Sequence, residues 1–254
     1  MTRRALVRPP GPRLAEGLVT HVDRRPVDLA LARGQWEGYV AAMESEGWET
    51  VEVARADDCP DAVFVEDTVV VYGDLAVITR PGADQRKPET AGTEEVLSGL
   101  GYRIVRIEAP GTLDGGDVLK YDGQVWVGVG GRTNPEGVGQ LAVHLGPQGA
   151  TVHAVPVTKV LHLKSAVTAL PDGTVVGYEA LVDHPSVWPR FLSVPEEAGA
   201  HVVLLDGEAL LMSTSAPRTR DLFQSRGLRV VTTDISEFEK LEGCVTCLSV
   251  RMRG

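Results

Sequence analysis

The sequence predicts an α/β protein built as a ring of repeated units, each a β-hairpin followed by a helix and a single strand. Three observations carry that expectation. Turn glycines fall at Gly73, Gly123 and Gly173 with equal spacing and again at Gly207, each between two apolar runs and beside an aspartate. Helical patterns and single strands lie between these hairpins. The first and last apolar runs, Arg4–Arg8 and Val245–Met252, are placed to pair and bring the two termini together. A repeat of this length points to a radial or solenoid architecture.

The elements follow in order. Pro26 to Gly47 reads as a helix, with Leu29, Trp36, Tyr39, Val40 and Met43 as its apolar stripe. The first hairpin runs from Val63–Val71 through Tyr72-Gly73-Asp74 to Leu75–Ile78. Pro88 to Gly101 is a helix, and Tyr102–Ile107 is the strand after it. The second hairpin joins Asp117–Leu119 to Val125–Val129. Asn134-Pro135-Glu136 then opens a helix, a capping side chain followed by proline in the first turn, with Val138, Leu141, Ala142 and Leu145 on one face. The third hairpin joins Ser165–Leu170 to Val175–Gly177, and the fourth joins His201–Leu205 to Ala209–Leu211. Pro217 to Gly227 is a helix, Leu228–Thr232 a strand, and Ile235 to Gly243 a short helix. Residues 1–254 read as one domain without a linker; the competing reading of the same pattern is a generic α/β sandwich.

Charge narrows the function. With 25 basic and 35 acidic residues the net charge is −10, which argues against nucleic acid and against anionic membrane surfaces as partners. An acidic surface favours a cationic small molecule. No apolar run approaches the ~18 residues of a membrane span or signal-peptide length at the start. Three cysteines, Cys59, Cys244 and Cys247, are too few for a disulfide framework. A reduced, cytoplasmic compartment is expected.

Polar residues recur where each hairpin begins. The first hairpin has Asp61, Glu66 and Asp67; the second has Asp114-Gly115-Gly116-Asp117; the third has His162-Leu163-Lys164-Ser165; the last run carries Cys247. Corresponding positions in a ring converge on its axis, so these groups are expected to share one central pocket. Carboxylates inside a β-rich run need a cation or donors, because burying them unpaired is costly. A guanidinium, with N–H donors in a planar fork, suits such a pair. Arg86 and Arg132 would suit a substrate carboxylate; surface solubility is the competing role for each. A cysteine needs a base or cationic neighbour to become a thiolate, and a histidine needs a carboxylate to fix its tautomer. Asp114 or Asp117 could serve His162, whose competing role is a hydrogen-bonded core residue. Cys244-Val245-Thr246-Cys247 has three readings: a redox pair, half a zinc site, or one nucleophile beside a core cysteine. Val-Thr-Cys-Leu-Ser-Val reads as a strand, which weakens the first, and the lack of a second Cys-x-x-Cys weakens the second.

In combination, Phe64-Val65-Glu66-Asp67, Ile78-Thr79-Arg80-Pro81-Gly82-Ala83, Leu113-Asp114-Gly115-Gly116-Asp117-Val118-Leu119, Arg132-Thr133-Asn134, Leu161-His162-Leu163-Lys164 and Thr246-Cys247-Leu248-Ser249 are specific. The chain resembles the dimethylarginine dimethylaminohydrolases of the guanidine-modifying pentein superfamily, from Arg8-Pro9-Pro10 to Ser249-Val250. The resemblance implies a five-bladed α/β propeller of pseudo-fivefold ββαβ repeats. It implies Cys247 as nucleophile, His162 as general acid and base, and Asp114 as the carboxylate that orients the histidine. It implies that Glu66 and Asp67 hold the substrate guanidinium. Asp61, Arg86 and Arg132 match residues binding its amino-acid end, Leu18 a mobile lid, and Leu241 a residue whose carbonyl meets the substrate amine. Cys244 matches no catalytic position, so the redox-pair reading is set aside.

The chemistry so implied is hydrolysis of methylated arginine to citrulline and dimethylamine or methylamine through a thiouronium on Cys247, with no metal and no cofactor. A neutral cysteine and histidine at rest, ionised by the cationic substrate, are one option. Arginine deiminase and other guanidine or ureido hydrolases of the superfamily are the alternative, although deiminases usually carry an inserted helical domain for which this chain has no room. A non-catalytic binding member would lose the cysteine, histidine and acids together, and all are present. Since the family includes dimers and monomers, a homodimer stays open.

Overall fold

The structure, a computed structural model, describes residues 3–253. Met1, Thr2 and Gly254, the ends of the expected 1–254 span, lie outside the described residues. Five three-stranded sheets share one plan: the first strand pairs antiparallel with the second, and the second pairs parallel with the third. In chain order the first sheet holds β1 (Arg3–Val7) and β2 (Glu49–Glu52), with β15 (Val250–Arg253) supplying its first strand. Next come β3 (Val69–Tyr72), β4 (Leu75–Ile78) and β5 (Arg103–Arg106), then β6 (Val118–Tyr121), β7 (Gln124–Val129) and β8 (Thr151–Pro156). The last two are β9 (Val167–Ala169), β10 (Val175–Gly177) and β11 (Phe191–Ser193), and β12 (Val203–Leu204), β13 (Ala209–Ser213) and β14 (Arg229–Thr233). The ring closes through antiparallel pairing of β15 with β1, Arg253 facing Arg3.

A parallel return needs a crossover, and helices supply it in four of the five blades. These are α1 (Leu29–Ser45), α2 (Thr90–Gly99), α3 (Pro135–Leu145) and α5 (Pro217–Ser225). Asp28 caps α1 by accepting from the amides of Ala30 and Leu31. Asn134 caps α3, with Pro135 in its first turn. The blade of β10 and β11 departs from the repeat, since its crossover is two single 3-10 turns, Glu179–Leu181 and Pro185–Val187. Two further helices of one turn, α4 (Leu163–Ala166) and α6 (Ser236–Glu239), belong to no crossover. The hairpin glycines all take left-handed backbone, with φ of +58° at Gly73, +71° at Gly123, +80° at Gly173 and +53° at Gly207.

The first strands differ from expectation in one consistent way. A turn precedes each first strand: Val65–Thr68 before β3, Gly115–Asp117 before β6, α4 before β9, Glu197–Ala200 before β12, and residues 245–248 before β15; it takes up the inner end of the expected run in all but the fourth, where it lies ahead of the expected His201–Leu205. The cause is local. Buried carboxylates at these positions need donors, and a helical turn turns amides outward that a strand would use in its ladder. Gly116 N–H donates to Asp67 Oδ1 at 2.8 Å, and Leu163 N–H donates to Asp117 Oδ1 at 2.9 Å. Glu66 N–H donates to the Cys247 carbonyl at 3.2 Å. Four of the five turns are thereby tied in series around the axis. The strands themselves converge on a central channel lined by Val69, Val118, Thr168, Val203 and Val250 among others.

Candidate active site

A second, narrow cavity lies at the turn end of the ring. Leu18, Asp61, Asp67, Arg86, Arg132, His162, Leu241 and Cys247 all line it, so eight expected site residues, distant in sequence, meet around one space. Asp114 stands behind the wall. Its Oδ2 lies 3.0 Å from His162 Nε2, and its Oδ1 accepts from Gly82 N–H at 2.9 Å. Asp117 does not bond the histidine; it accepts from the Thr133 hydroxyl at 2.6 Å and from the amide of the next residue, Leu163, at 2.9 Å.

Glu66 is placed elsewhere. Expected to hold a guanidinium beside Asp67, it faces the central channel, where Oε1 meets Lys164 Nζ at 2.6 Å and Arg251 Nη2 at 2.7 Å. Adjacent residues of a helical turn do not share a face, so Glu66 and Asp67 point to opposite ends of the ring. Cys247 also differs from its expected setting. It sits on a turn, not in a strand, with its N–H donating to the Cys244 carbonyl at 3.0 Å. Tyr39 of α1 buttresses that turn, its hydroxyl donating to the Val245 carbonyl at 3.0 Å and lying 2.7 Å from Ser249 Oγ.

The charged groups are arranged in order. Arg86 donates from Nη1 to Asp67 Oδ2 at 2.6 Å and from Nε and Nη2 to Glu89, while Nη2 also meets the carbonyls of Asp61 and Phe64. Little of its fork remains for a ligand. Arg132 is the better-placed cation, since its buried Nη1 has no hydrogen-bond partner and lies 3.8 Å from Asp114. Asp61 accepts from Leu18 N–H with both oxygens, at 3.0 and 3.1 Å. Glu242 accepts from the amides of Thr20 and His21 and from the Thr20 hydroxyl. Together these two carboxylates strap residues 18–21 across the cavity mouth.

Ionisation follows from burial and neighbours. Burial alone would raise the Asp67 carboxyl, but the His162 ring and the Arg86 guanidinium bring it down to about 2. Burial would lower His162, yet Asp67, Asp117 and Asp114 outweigh it and push it up to about 9. Burial lifts Asp117 to about 6 and raises Asp61. The hydrogen bond to Cys244, burial and the carboxylates of Glu66 and Asp67 hold the Cys247 thiol above its ordinary value. These directions favour the protonated form of both His162 and the Cys247 thiol. Asp67, Asp114 and His162 offer ligand atoms within 4.8 Å of one another, but those carboxylates already hold Arg86, Gly82 and Gly116 as well as the imidazole.

Two glycines are required by this geometry. A Cβ on Gly115 would lie 2.0 Å from the Glu66 carbonyl, and one on Gly116 would lie 2.6 Å from both Asp67 Oδ1 and His162 Nδ1. Sequence reasoning missed Phe64, Leu161, Glu242 and Gly243 as lining residues and Glu89 as the partner of Arg86. Glu89 stands at i,i+3 to its partner Arg86, a local spacing that could have marked it, whereas nothing local marks Glu242, whose partners Thr20 and His21 lie far along the chain and whose backbone is left-handed (φ +60°).

A five-bladed α/β propeller with a cysteine, a histidine and carboxylates around an axial cavity defines the class: a guanidine-modifying protein of the pentein superfamily. The arginine deiminase family model matches residues 44–203. The chain is 63% identical over 252 residues to an N(G),N(G)-dimethylarginine dimethylaminohydrolase of Streptomyces coelicolor, covering 99% of this chain and 98% of that one. It superposes on the Pseudomonas aeruginosa enzyme, solved as a cysteine-to-serine variant with citrulline, with a TM-score of 0.92 and 31% identity over 99% of this chain and 100% of that one. A dimethylarginine dimethylaminohydrolase histidine-to-glycine adduct with S-methyl-L-thiocitrulline matches with the same score, identity and coverage. The chain belongs to the dimethylarginine dimethylaminohydrolase family.

Proposed function

We propose that this protein hydrolyses Nω-methylated arginines to citrulline and dimethylamine or methylamine, with Cys247 as nucleophile and His162 as acid and base. The observation that carries the reading is the convergence of Cys247, His162 and Asp67 on one narrow cavity, in a chain so similar to the Streptomyces coelicolor relative. Asp67 takes the substrate guanidinium, and Asp114 keeps the imidazole oriented. Arg132, with its unpartnered buried nitrogen, takes the carboxylate end, with Arg86 behind it. Asp61 and the Leu241 carbonyl suit the amino group. The strap at Leu18 covers the bound molecule and excludes water.

The substrate itself prepares the nucleophile. Its positive charge beside Asp67 stabilises the Cys247 thiolate, whose proton leaves to solvent as the cation binds, and weakens the hold of Asp67 on the His162 proton. Sulfur then attacks the guanidinium carbon, and His162 gives its proton to the departing methylamine. A thiouronium remains on Cys247. Neutral His162 takes a proton from water, hydroxide adds to the same carbon, and the C–S bond breaks to release citrulline. The cavity holds the reacting groups together, and positioning of this kind lowers the barrier.

The deciding experiment offers asymmetric dimethylarginine, monomethylarginine and arginine in parallel and quantifies citrulline and the released amine. Citrulline with methylamines, and arginine nearly inert, is the expected result. Citrulline with ammonia from arginine would make the protein a deiminase. Cys247→Ser should abolish turnover while leaving the melting temperature close to that of the wild type; retained turnover would overturn the nucleophile assignment.

A further inference from the structure

Cys244 has no part in this reaction, yet its sulfur lies 3.3 Å from that of Cys247. Both are free and buried. We propose that Cys244 is a resolving thiol, and that a peroxide entering the substrate cavity converts Cys244 and Cys247 into a disulfide that reversibly shuts the active site.

The geometry allows the bond without refolding. The hydrogen bond from Cys247 N–H to the Cys244 carbonyl at 3.0 Å closes a four-residue turn. Such a turn holds its end Cα atoms within about 7 Å, inside the range a disulfide spans. The two sulfurs already face each other, so side-chain rotation suffices. Access is asymmetric in the required sense. Cys247 lines the cavity, whereas Cys244 is not on its wall and is packed with Val245, Leu248 and Phe238 in the core. An oxidant small enough to follow the substrate's path meets Cys247 first and finds Cys244 directly behind it. The Thr246 hydroxyl, 3.1 Å from Cys244 Sγ, can donate to that sulfur as it ionises.

The chemistry balances with a hydroperoxide as oxidant. The Cys247 sulfur attacks one peroxide oxygen; the S–O bond forms, the O–O bond breaks, and the leaving hydroxide is protonated to water. Cys244 then attacks the sulfenic sulfur of Cys247; the S–S bond forms, the S–O bond breaks, and the second oxygen leaves as water with the Cys244 proton. Two thiols lose two electrons and the peroxide gains them. Loss of activity on oxidation rests on Cys247 being the nucleophile; formation of the bond does not.

Trypsin provides the test, because cleavage after Lys240 and Arg251 puts both cysteines on one peptide, residues 241–251. The folded protein is treated with hydrogen peroxide, alkylated without reductant, digested and weighed, with Cys59 as an internal reference. The expected peptide is two hydrogens lighter than the reduced form and carries no alkyl group. Methylarginine turnover should fall more than about tenfold and return with dithiothreitol. In Cys244→Ala and Cys244→Ser, Cys247 should instead proceed to sulfinic acid, which dithiothreitol does not reverse. A wild-type peptide that gains oxygen without ever losing the two hydrogens would overturn the proposal. A disulfide that forms while turnover persists would overturn the shut-off, and with it the assignment of Cys247 as nucleophile.

Discussion

His162 is held between two carboxylates, Asp114 at 3.0 Å and Asp67 at 3.8 Å, and this makes its proton a measurable part of stability. Its pKa rises from an ordinary 6.5 to about 9, against burial, because Asp67, Asp117 and Asp114 favour the charged ring. A group raised on folding stabilises fully below its unfolded pKa, and that contribution is lost as pH rises through the folded value. For His162 the window is about pH 6.5 to 9, and the amount is on the order of 3 kcal/mol. Asp117, lifted to about 6, and Asp67, lowered to about 2, change outside that window. Lys120, pulled by burial to about 7, works in the opposite sense within it, so the comparison must be with a variant. Between pH 6.5 and 9 the wild type should lose more denaturant stability than His162→Gln. Equal losses in the two proteins would show that the histidine is neutral in the folded state across that range.

The elements that shape the site are turns, and their strength lies in few bonds. The amides of Leu18, Thr20 and His21 are held by two carboxylates, Asp61 from one side and Glu242 from the other, while Val19 packs against the core. Glu242→Ala removes the acceptor for two amides and a hydroxyl, each such bond to a charged group being worth roughly 1.5–3 kcal/mol. KM for methylarginine should rise about tenfold with kcat little changed, since Cys247 and His162 are untouched. Trypsin should also cut faster after Arg24, Arg25 being protected by Pro26. An unchanged KM and cutting rate would mean that the strap does not depend on Glu242. The same turns explain what the sequence hid. Hairpins were legible because Asp-Gly and β-rich runs are local signals, and the cap of α3 was legible from Asn134-Pro135. The inner ends were not, because Val63–Val71 and Val245–Met252 have the composition of strands throughout. The bonds that reveal the turns run between segments distant in sequence, such as Glu66 N–H to the Cys247 carbonyl and Gly116 N–H to Asp67. The turn Val65–Thr68 sends Glu66 to the channel and Asp67 to the cavity, and the turn at residues 245–248 brings Cys244 against Cys247, neither of which follows from their neighbours in sequence.

At the scale of the molecule, ring closure is the feature on which both ends of the axis depend. The strand β15 carries Arg251, which pairs with Glu66 across the channel, and it follows directly from the turn that carries Cys247. Its pairing with β1 brings Arg3 opposite Arg253, so the chain ends are neighbours in one sheet. In four blades the first two strands are joined by a covalent hairpin; in this one they are joined by hydrogen bonds alone. The repeat implies that the location of the break is arbitrary. A circular permutant tests this: a short glycine-rich linker joins residue 254 to residue 1, and new ends are opened in the exposed turn at Asp206-Gly207, between β12 and β13. The noncovalent closure then moves to β12 and β13, whose antiparallel pairing is of the same kind. The permutant should fold, give citrulline at a rate of the same order as the wild type, and melt somewhat lower, because β12 is only two residues long. A permutant that folds but has lost turnover would show that the covalent continuity of that hairpin positions the cavity. A permutant that never folds would show that the β12–β13 hairpin must be covalent for the ring to form.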